Sequence, residues 1–179
     1  CRSYLFTGNA KKAIDDCNKA IELDPKNASS YYPDRGDAYA RLGDYRQALM
    51  DYNKAIALEP NSPNIYNGRG IIYGDLGNYR QAISDYTKAL ELNTNATGAW
   101  GYYMNRSSMY VRLGQYRKAI MDYNKAIELF PSYADAYYSR GQAYGRLGNY
   151  KQAVADMKIA ANLGKKEAQD VLRKRGIDW

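Results

Sequence analysis

The chain of 179 residues contains no histidine, and this absence removes several chemistries at once. Without imidazole there is no Ser-His-Asp or Cys-His triad, no histidine acid or base, and no histidine-ligated zinc. The two cysteines form no CxxC motif and no metal-ligand set. No phosphate-binding glycine loop is present, and no apolar run approaches the roughly 20 residues of a membrane span. We therefore expect no metal, no cofactor, no enzymatic activity and no membrane span.

The initiator methionine is also missing, and residue 1 is a cysteine. Cys1 could form a disulfide with Cys17, carry a lipid as the first residue of a bacterial lipoprotein, or mark the cut end of a longer chain. We favour the cut end, because no polar tether separates Cys1 from the first helical pattern. The cytoplasm is the favoured compartment. A periplasmic or secreted location stays open, because a cut N-terminus would have lost any signal peptide.

Charge of one sign is not concentrated anywhere in the chain. Lysine and arginine outnumber aspartate and glutamate by 26 to 19, which gives a net charge of +7. The basic residues run along the whole sequence among the acids, and the densest basic stretch, Lys165 to Arg175, also contains Glu167 and Asp170. A nucleic-acid site needs basic residues clustered on one face. The charge pattern therefore argues against nucleic-acid binding.

The dominant feature of the sequence is an internal repeat. The pattern Leu-Gly-x-Tyr-x-x-Ala begins at Leu42, Leu76, Leu113 and Leu147, and a partial earlier copy begins near Thr7. Its glycines are 34, 37 and 34 residues apart. Within each copy, apolar residues recur at intervals of three and four, which is the helical period, and the glycine ends the first of two helices. Most of the 20 tyrosines fall on recurring sites, where we expect them to form the core.

One full copy carries the landmarks Tyr32, Gly36, Tyr39, Ala48, Tyr52, Ala55 and Pro60. This pattern resembles the tetratricopeptide repeat family, in a tyrosine-rich form similar to its prokaryotic members. The resemblance implies an all-α, right-handed superhelical solenoid of antiparallel helix pairs with a C-terminal capping helix. The predicted domains are a truncated first repeat (1–28), full repeats (29–62 and 63–96), a repeat with a three-residue insertion (97–133), a last repeat (134–164), and the capping helix with its tail (165–179).

Two departures from the family pattern lead to structural predictions. Where the family has leucine in the first helix, all four full copies have arginine, and an aspartate follows each arginine after 16 residues. Because antiparallel helices of this length bring those two sites together, we predict structural ion pairs within each repeat. They are Arg35 with Asp51, Arg69 with Asp85, Arg106 with Asp122, and Arg140 with Asp156. Pro33 predicts that the first helix of its copy begins late, near Tyr32.

The resemblance implies a protein-interaction scaffold or adaptor that holds a peptide or helix of a partner on its concave face. First-helix residues outside the core and the ion pairs form the predicted binding surface. They are Asp37, Arg41, Asn64, Asn67, Ile71, Asp75, Met104, Ser108, Arg112, Asp135, Tyr138, Gln142 and Arg146. Three arginines recur at one site of this set, and Ile71, Met104 and Tyr138 are apolar. We therefore expect a partner with both acidic and apolar residues.

An alternative function is a structural spacer or oligomerisation element that self-associates through the truncated N-terminal repeat. A different family property is predicted to be absent. Some members grip the C-terminal tail of heat-shock chaperones with a clamp of lysine, asparagine and arginine. The aligned positions here are Pro33, Asp37, Gly68, Gly101 and Asn105, or, one copy later, Asn67, Ile71, Asn105, Asp135 and Ser139. Only Asn105 in the second alignment matches, so we predict no binding of such a tail through the clamp.

Overall fold

The computed structural model describes residues 9–93 and 98–179. Within these ranges the chain folds into ten α-helices and one short 3-10 helix, without a strand. It divides into two compact units, Cys1–Leu92 and Asn93–Trp179. None of the described helices has the length and apolar character of a membrane span. Cys17 is buried. The alternatives proposed for Cys1 lie outside the described residues.

The first unit contains five helices that pack in sequence order. They are α1 (Ala10–Leu23), α2 (Ala28–Arg41), α3 (Tyr45–Leu58), α4 (Pro63–Asp75) and α5 (Tyr79–Leu92), with the 3-10 turn Pro25–Asn27 leading into α2. Each helix contacts its neighbour in the chain. The largest core of this unit lies where α3 meets α2 and α4, and it contains Ala48, Tyr52, Ala55, Ile65 and Ile72.

The second unit repeats this arrangement with five further helices. They are α6 (Ala99–Arg112), α7 (Tyr116–Leu129), α8 (Ala134–Arg146), α9 (Tyr150–Asn162) and α10 (Lys166–Lys174). One buried cluster joins α7 to α8 through Ala119, Ile120, Tyr123 and Ala143. A second cluster joins α9 to α10 through Met157, Ala160, Ala161, Ala168 and Leu172. Both units therefore have the predicted all-α architecture of packed helix pairs.

A glycine in the left-handed region ends the first helix of each pair. Its φ is 82° at Gly43, 76° at Gly77, 69° at Gly114 and 78° at Gly148. Only glycine adopts this conformation without a steric penalty. The amide of the next residue then reaches back to the helix, as when Asn78 N donates to the Tyr73 carbonyl at 2.8 Å. The repeated Leu-Gly thus turns the chain between antiparallel helices.

The tyrosines have three different environments. Tyr52, Tyr86 and Tyr123 occupy the same second-helix site and are 2–3% exposed. Tyrosines of the first helices are half-buried, and Tyr150 is 66% exposed. The prediction of a tyrosine core is therefore correct for the second-helix site and wrong for Tyr150.

The prediction for Pro33 is also wrong. Helix α2 begins at Ala28, and Pro33 lies inside it. Proline removes one backbone hydrogen bond from a helix interior, but tertiary packing offsets that loss here. Ala28 and Ser29, in the turn before the proline, are buried, and the Ser29 hydroxyl donates to the Glu59 carboxylate. These contacts fix the first turn of α2 in spite of the proline.

Helix α10 packs on the last helix pair along one short face. Ala168 and Leu172 are at most 1% exposed, and Gln169 Nε2 donates to the Ala161 carbonyl at 3.0 Å. Lys165, the residue before α10, forms an ion pair with Asp135 of α8 at 2.5 Å. Helix α10 is therefore held by its buried Ala168 and Leu172 and by the polar contacts of Gln169 and Lys165.

Candidate functional site

The four arginine–aspartate pairs predicted within repeats are present in the structure. In each pair, arginine Nε and Nη2 donate to the two aspartate oxygens at 2.7–2.8 Å. The arginine side chains are 15–20% exposed and the aspartates 3–7%. Two parallel charge-assisted bonds in a largely enclosed place form a strong and directional contact. These eight residues join the two helices of each repeat.

Tyrosine rings flank the paired guanidinium groups. Arg69 Cζ lies 5.7 Å from the ring centre of Tyr66 and 5.8 Å from that of Tyr73, within the range of a cation–π contact. The hydrogen bond to aspartate raises the pKa of all four arginines, and burial opposes it with a smaller effect. The guanidinium groups therefore stay charged, and the half-buried first-helix tyrosines help to enclose them.

The arginines also connect successive repeats, a link that the sequence-based predictions did not include. In three copies, Nη1 donates to an asparagine on the second helix of the preceding repeat. These pairs are Arg35 with Asn18 at 2.6 Å, Arg69 with Asn53 at 2.7 Å, and Arg140 with Asn124 at 2.7 Å. The sequence carries a signal for this link, because in three copies an asparagine stands two residues after the second-helix aspartate.

The series changes at α9 and α10. The position of Asn124, two residues after the aspartate, is occupied by Lys158 in α9. Arg140 is the seventh residue of α8, and the seventh residue of α10 is Leu172. At the positions equivalent to the arginine and the asparagine, this junction thus has a buried leucine and a lysine.

The inter-repeat bond gives a first prediction. Replacing Asn124 by leucine should lower the free energy of unfolding by about 1–2 kcal/mol, because a hydrogen bond to a charged group is lost. The bond lies near the surface, so we expect the low end of that range. Asn124→Thr should cost less, because Thr87 stands at the corresponding site of another copy. Urea unfolding followed by circular dichroism measures both changes, and equal losses would contradict the assignment.

Asp37, a predicted binding residue, has a structural partner. The Tyr52 hydroxyl donates to Asp37 Oδ1 at 2.6 Å. Burial raises the pKa of Tyr52, and the Asp37 carboxylate raises it further by charge and by accepting this bond. Asp37 thus joins α2 to α3 in addition to lying on the first-helix face.

A groove of about 700 Å³ lies within the second unit. We call it the Arg groove, because Arg112 of α6, Arg146 of α8 and Arg175, the residue that follows α10, all line it. Its walls come from α6 to α10. The apolar and aromatic part of the lining consists of Val111, Tyr116, Tyr123, Tyr138, Ala143, Tyr150, Ala153, Val154, Met157, Val171 and Leu172. The groove thus combines apolar surface with three cations.

The electrostatics of the Arg groove are one-sided. No aspartate or glutamate is among its lining residues. None of its three guanidinium groups forms a hydrogen bond or an ion pair with residues 9–93 or 98–179. They differ in this from the four arginines of the structural pairs. Arginine forks match carboxylate and phosphate groups, so the groove has unused capacity for an anion.

Five of the thirteen predicted binding residues line the Arg groove: Ser108, Arg112, Tyr138, Gln142 and Arg146. Asp135 is instead paired with Lys165. Met104, predicted as an exposed apolar anchor, is half-buried and packs against the cluster of α7 and α8. Its apolar character therefore reflects core packing.

The remaining predicted binding residues belong to the first unit. Ile71 is 42% exposed, Arg41, Asn64 and Asp75 are exposed, and Asn67 is half-buried. The predicted apolar anchor that is most open to solvent is thus Ile71.

Sequence models of known families match most of the chain. A TPR repeat model matches residues 36–77 and 108–148. A second model, for the tetratricopeptide repeat, matches residues 63–95. A third model of the same repeat matches residues 2–27 and 134–163. The chain belongs to the tetratricopeptide repeat family.

The chain is also similar to individual proteins, one by sequence and others by structure. The chain is 38% identical over 68 residues to DnaJ homolog subfamily C member 3 homolog of Dictyostelium discoideum, covering 38% of this chain and 13% of that protein. The crystal structure of MamA has a TM-score of 0.80 at 27% identity, covering 93% of this chain and 95% of the other. YrrB, described as a TPR protein with an unusual peptide-binding site, has a TM-score of 0.75 at 21% identity over 97% and 88% of the two chains.

Tetratricopeptide repeat proteins are typically scaffolds without catalytic activity. In residues 9–93 and 98–179 of this member, cysteine, aspartate and glutamate side chains form no group of three that could hold a metal ion. The family pattern helped to locate Arg112 and Arg146 by their common site. It gave no signal for Arg175, which reaches the Arg groove only because α10 packs on α9.

Proposed function

We propose that this tetratricopeptide repeat protein is a protein-interaction scaffold and that the Arg groove of its second unit binds a segment of a partner protein. Family membership supports a protein-interaction role. The description of YrrB as peptide-binding is consistent with that role. The observation that carries the proposal is the juxtaposition of apolar walls with three guanidinium groups that no lining acid neutralises. A concave, mostly apolar surface with a few charged groups is typical of a ligand-binding site.

The chemistry of the Arg groove points to a partner segment with acidic and apolar residues. Apolar side chains of the segment would pack against Val111, Val154 and Tyr138, and this burial would supply most of the affinity. Its carboxylates would pair with Arg112 and Arg146, which would fix the register and accelerate association. Asp37, Arg41, Asn64, Asn67, Ile71 and Asp75 are the corresponding proposed contact residues of the first unit.

Charge reversal tests this proposal. The double variant Arg112→Glu and Arg146→Glu should lose a partner captured from source cells by about tenfold or more, because two attractive charge contacts with the partner become repulsive. Capture followed by quantitative mass spectrometry measures the loss. The matched control is Arg117→Glu with Lys151→Glu, which reverses two exposed charges on α7 and α9 of the same unit.

Both double variants should keep native helicity and melt within a few degrees of the parent chain, because exposed substitutions usually change stability by less than about 0.5 kcal/mol. The control should keep the partner. If both variants lose it equally, or neither does, the partner does not bind in the Arg groove. A complex whose mass grows with protein concentration in the absence of partner would instead support the spacer or oligomerisation function.

A further inference from the structure

Helix α10 contributes directly to the wall of the Arg groove. Val171, Leu172 and Arg175 line it together with Arg112 of α6 and Arg146 of α8. Lys174, the neighbour of Arg175, is exposed and lies outside the lining. The helix therefore has a second role besides covering the α9 surface, because it delivers a third guanidinium group to the groove.

The docking of α10 depends on few contacts. A helix of nine residues is marginal in isolation, so its stability comes from packing. The buried apolar residues that α10 supplies are Ala168 and Leu172, which pack against Met157, Ala160 and Ala161 of α9, and Ile177 packs against the same cluster. Lys165 adds the ion pair with Asp135 and lies 5.7 Å from the ring centre of Tyr138. Segments held by so few buried contacts open more readily than the rest of a fold.

The charges of the Arg groove act against this docking. When α10 docks, Arg175 comes to line the same groove as two other arginines, and no lining acid compensates them. Like charges repel each other, and because all three arginines are exposed, water and salt screen part of this repulsion. An anion bound there would remove the repulsion and add an attraction to Arg175. Docking and anion binding should then favour each other.

We propose that Arg175 is the third cation of the Arg groove and that binding of an acidic peptide segment through its carboxylate groups is coupled to docking of α10. The inference rests on the proposed function, because it concerns the same groove. Linkage requires the effect to be reciprocal. An anionic segment stabilises docked α10, and docked α10 binds the segment more tightly.

Hydrogen–deuterium exchange of the full chain tests the coupling. The probes are capped peptides of about ten residues that alternate leucine with glutamate, phosphoserine or glutamine. The glutamate probe should slow amide exchange in residues 166–175 by about fivefold or more, the lower end of typical coupling. The glutamine probe should leave exchange unchanged. A larger effect of the phosphoserine probe than of the glutamate probe would overturn the assignment to carboxylates.

Two variants separate coupling from simple packing. Arg175→Gln should slow exchange of α10 in the free chain, because it relieves repulsion, and it should reduce the gain from the anionic probe. A residue with only a structural role would show faster exchange on substitution. Lys174→Gln is the matched control on the same helix and should change neither quantity.

The outcomes distinguish this inference from the proposed function. Unchanged α10 exchange with a saturating anionic probe overturns the coupling, as does Arg175→Gln behaving like Lys174→Gln. Failure of both anionic probes to bind at about 1 mM, a very weak affinity, also overturns it. In any of these cases, loss of the captured partner in the Arg112 and Arg146 double variant would leave the proposed function standing. If that variant retains its partner, the proposed function fails by itself.

Discussion

Replacing Asp85 by alanine should lower the free energy of unfolding by about 3–5 kcal/mol, the usual loss when one member of a buried ion pair is removed. Asp85 is 5% exposed, and it accepts from Arg69 Nε at 2.8 Å and from Nη2 at 2.7 Å. Alanine leaves that guanidinium enclosed by Tyr66 and Tyr73 without its counter-ion. Because Arg69 is 20% exposed, water can reach part of it, and we expect the lower end of the range.

Two controls accompany Asp85→Ala in urea unfolding followed by circular dichroism. Glu91 lies on the same helix and pairs with Lys88, but both side chains are at least 46% exposed. Glu91→Ala should therefore cost less than about 1 kcal/mol. Replacing both Arg69 and Asp85 by leucine should recover much of the single loss, because an apolar pair leaves no unpaired charge. If Asp85→Ala and Glu91→Ala lower the free energy of unfolding equally, the enclosed ion pair contributes no more to stability than the exposed one.

Among glycine-to-alanine substitutions within the helices of the first unit, Gly68→Ala should lower the free energy of unfolding most. A Cβ atom at this position would lie 2.4 Å from Tyr52 Cε1 and from its hydroxyl oxygen. Tyr52 cannot move aside cheaply, because it is 3% exposed and its hydroxyl is bonded to Asp37. Overpacking of this kind costs about 1–3 kcal/mol, and displacing the buried hydroxyl from its acceptor adds about 1–3 kcal/mol.

The matched substitution is Gly101→Ala, which changes a helical glycine with no atom within 4 Å of the added Cβ. It should stabilise α6 by about 0.5–1 kcal/mol, because alanine is the better helix former. The melting temperature should therefore fall in Gly68→Ala and rise in Gly101→Ala. A neutral Gly68→Ala variant would mean that Tyr52 has another position available, and its bond to Asp37 would then be broken in that variant.

The helix pairs and the ion pairs follow from regularities of the sequence. The spacing of apolar residues and the Leu-Gly turn predict two antiparallel helices in each copy. In such a pair, residues 16 positions apart in sequence lie opposite each other, and every full copy keeps this spacing between arginine and aspartate, as in Arg69 and Asp85. The hydrogen bonds from arginine to asparagine of the preceding repeat follow from a weaker regularity of the sequence. Asn53 and Asn124 share one site, but Thr87 occupies it in another copy, and a polar residue on a helix surface carries no intrinsic signal of a partner.

Other features depend on packing that no single residue reveals. Pro33 breaks a helix by local propensity, and only the contacts of Ala28 and Ser29 overrule it. Met104 has the apolar character of a binding residue, but it is half-buried against the cluster of α7 and α8. Arg175 acquires its position from the docking of α10, which places a residue distant in sequence in the lining of the same groove as Arg146.

The presence of Lys158 in α9, where α3 has Asn53, has a consequence for how such an array can change its length by gene duplication. A duplicate of residues 29–62 brings both Arg35 and Asn53, so it fits between existing copies without any further substitution. A copy inserted directly after α9 would instead place its arginine against Lys158 and separate Leu172 from its site. Growth of the array is therefore compatible with its interior and is opposed at this junction by the charge of Lys158.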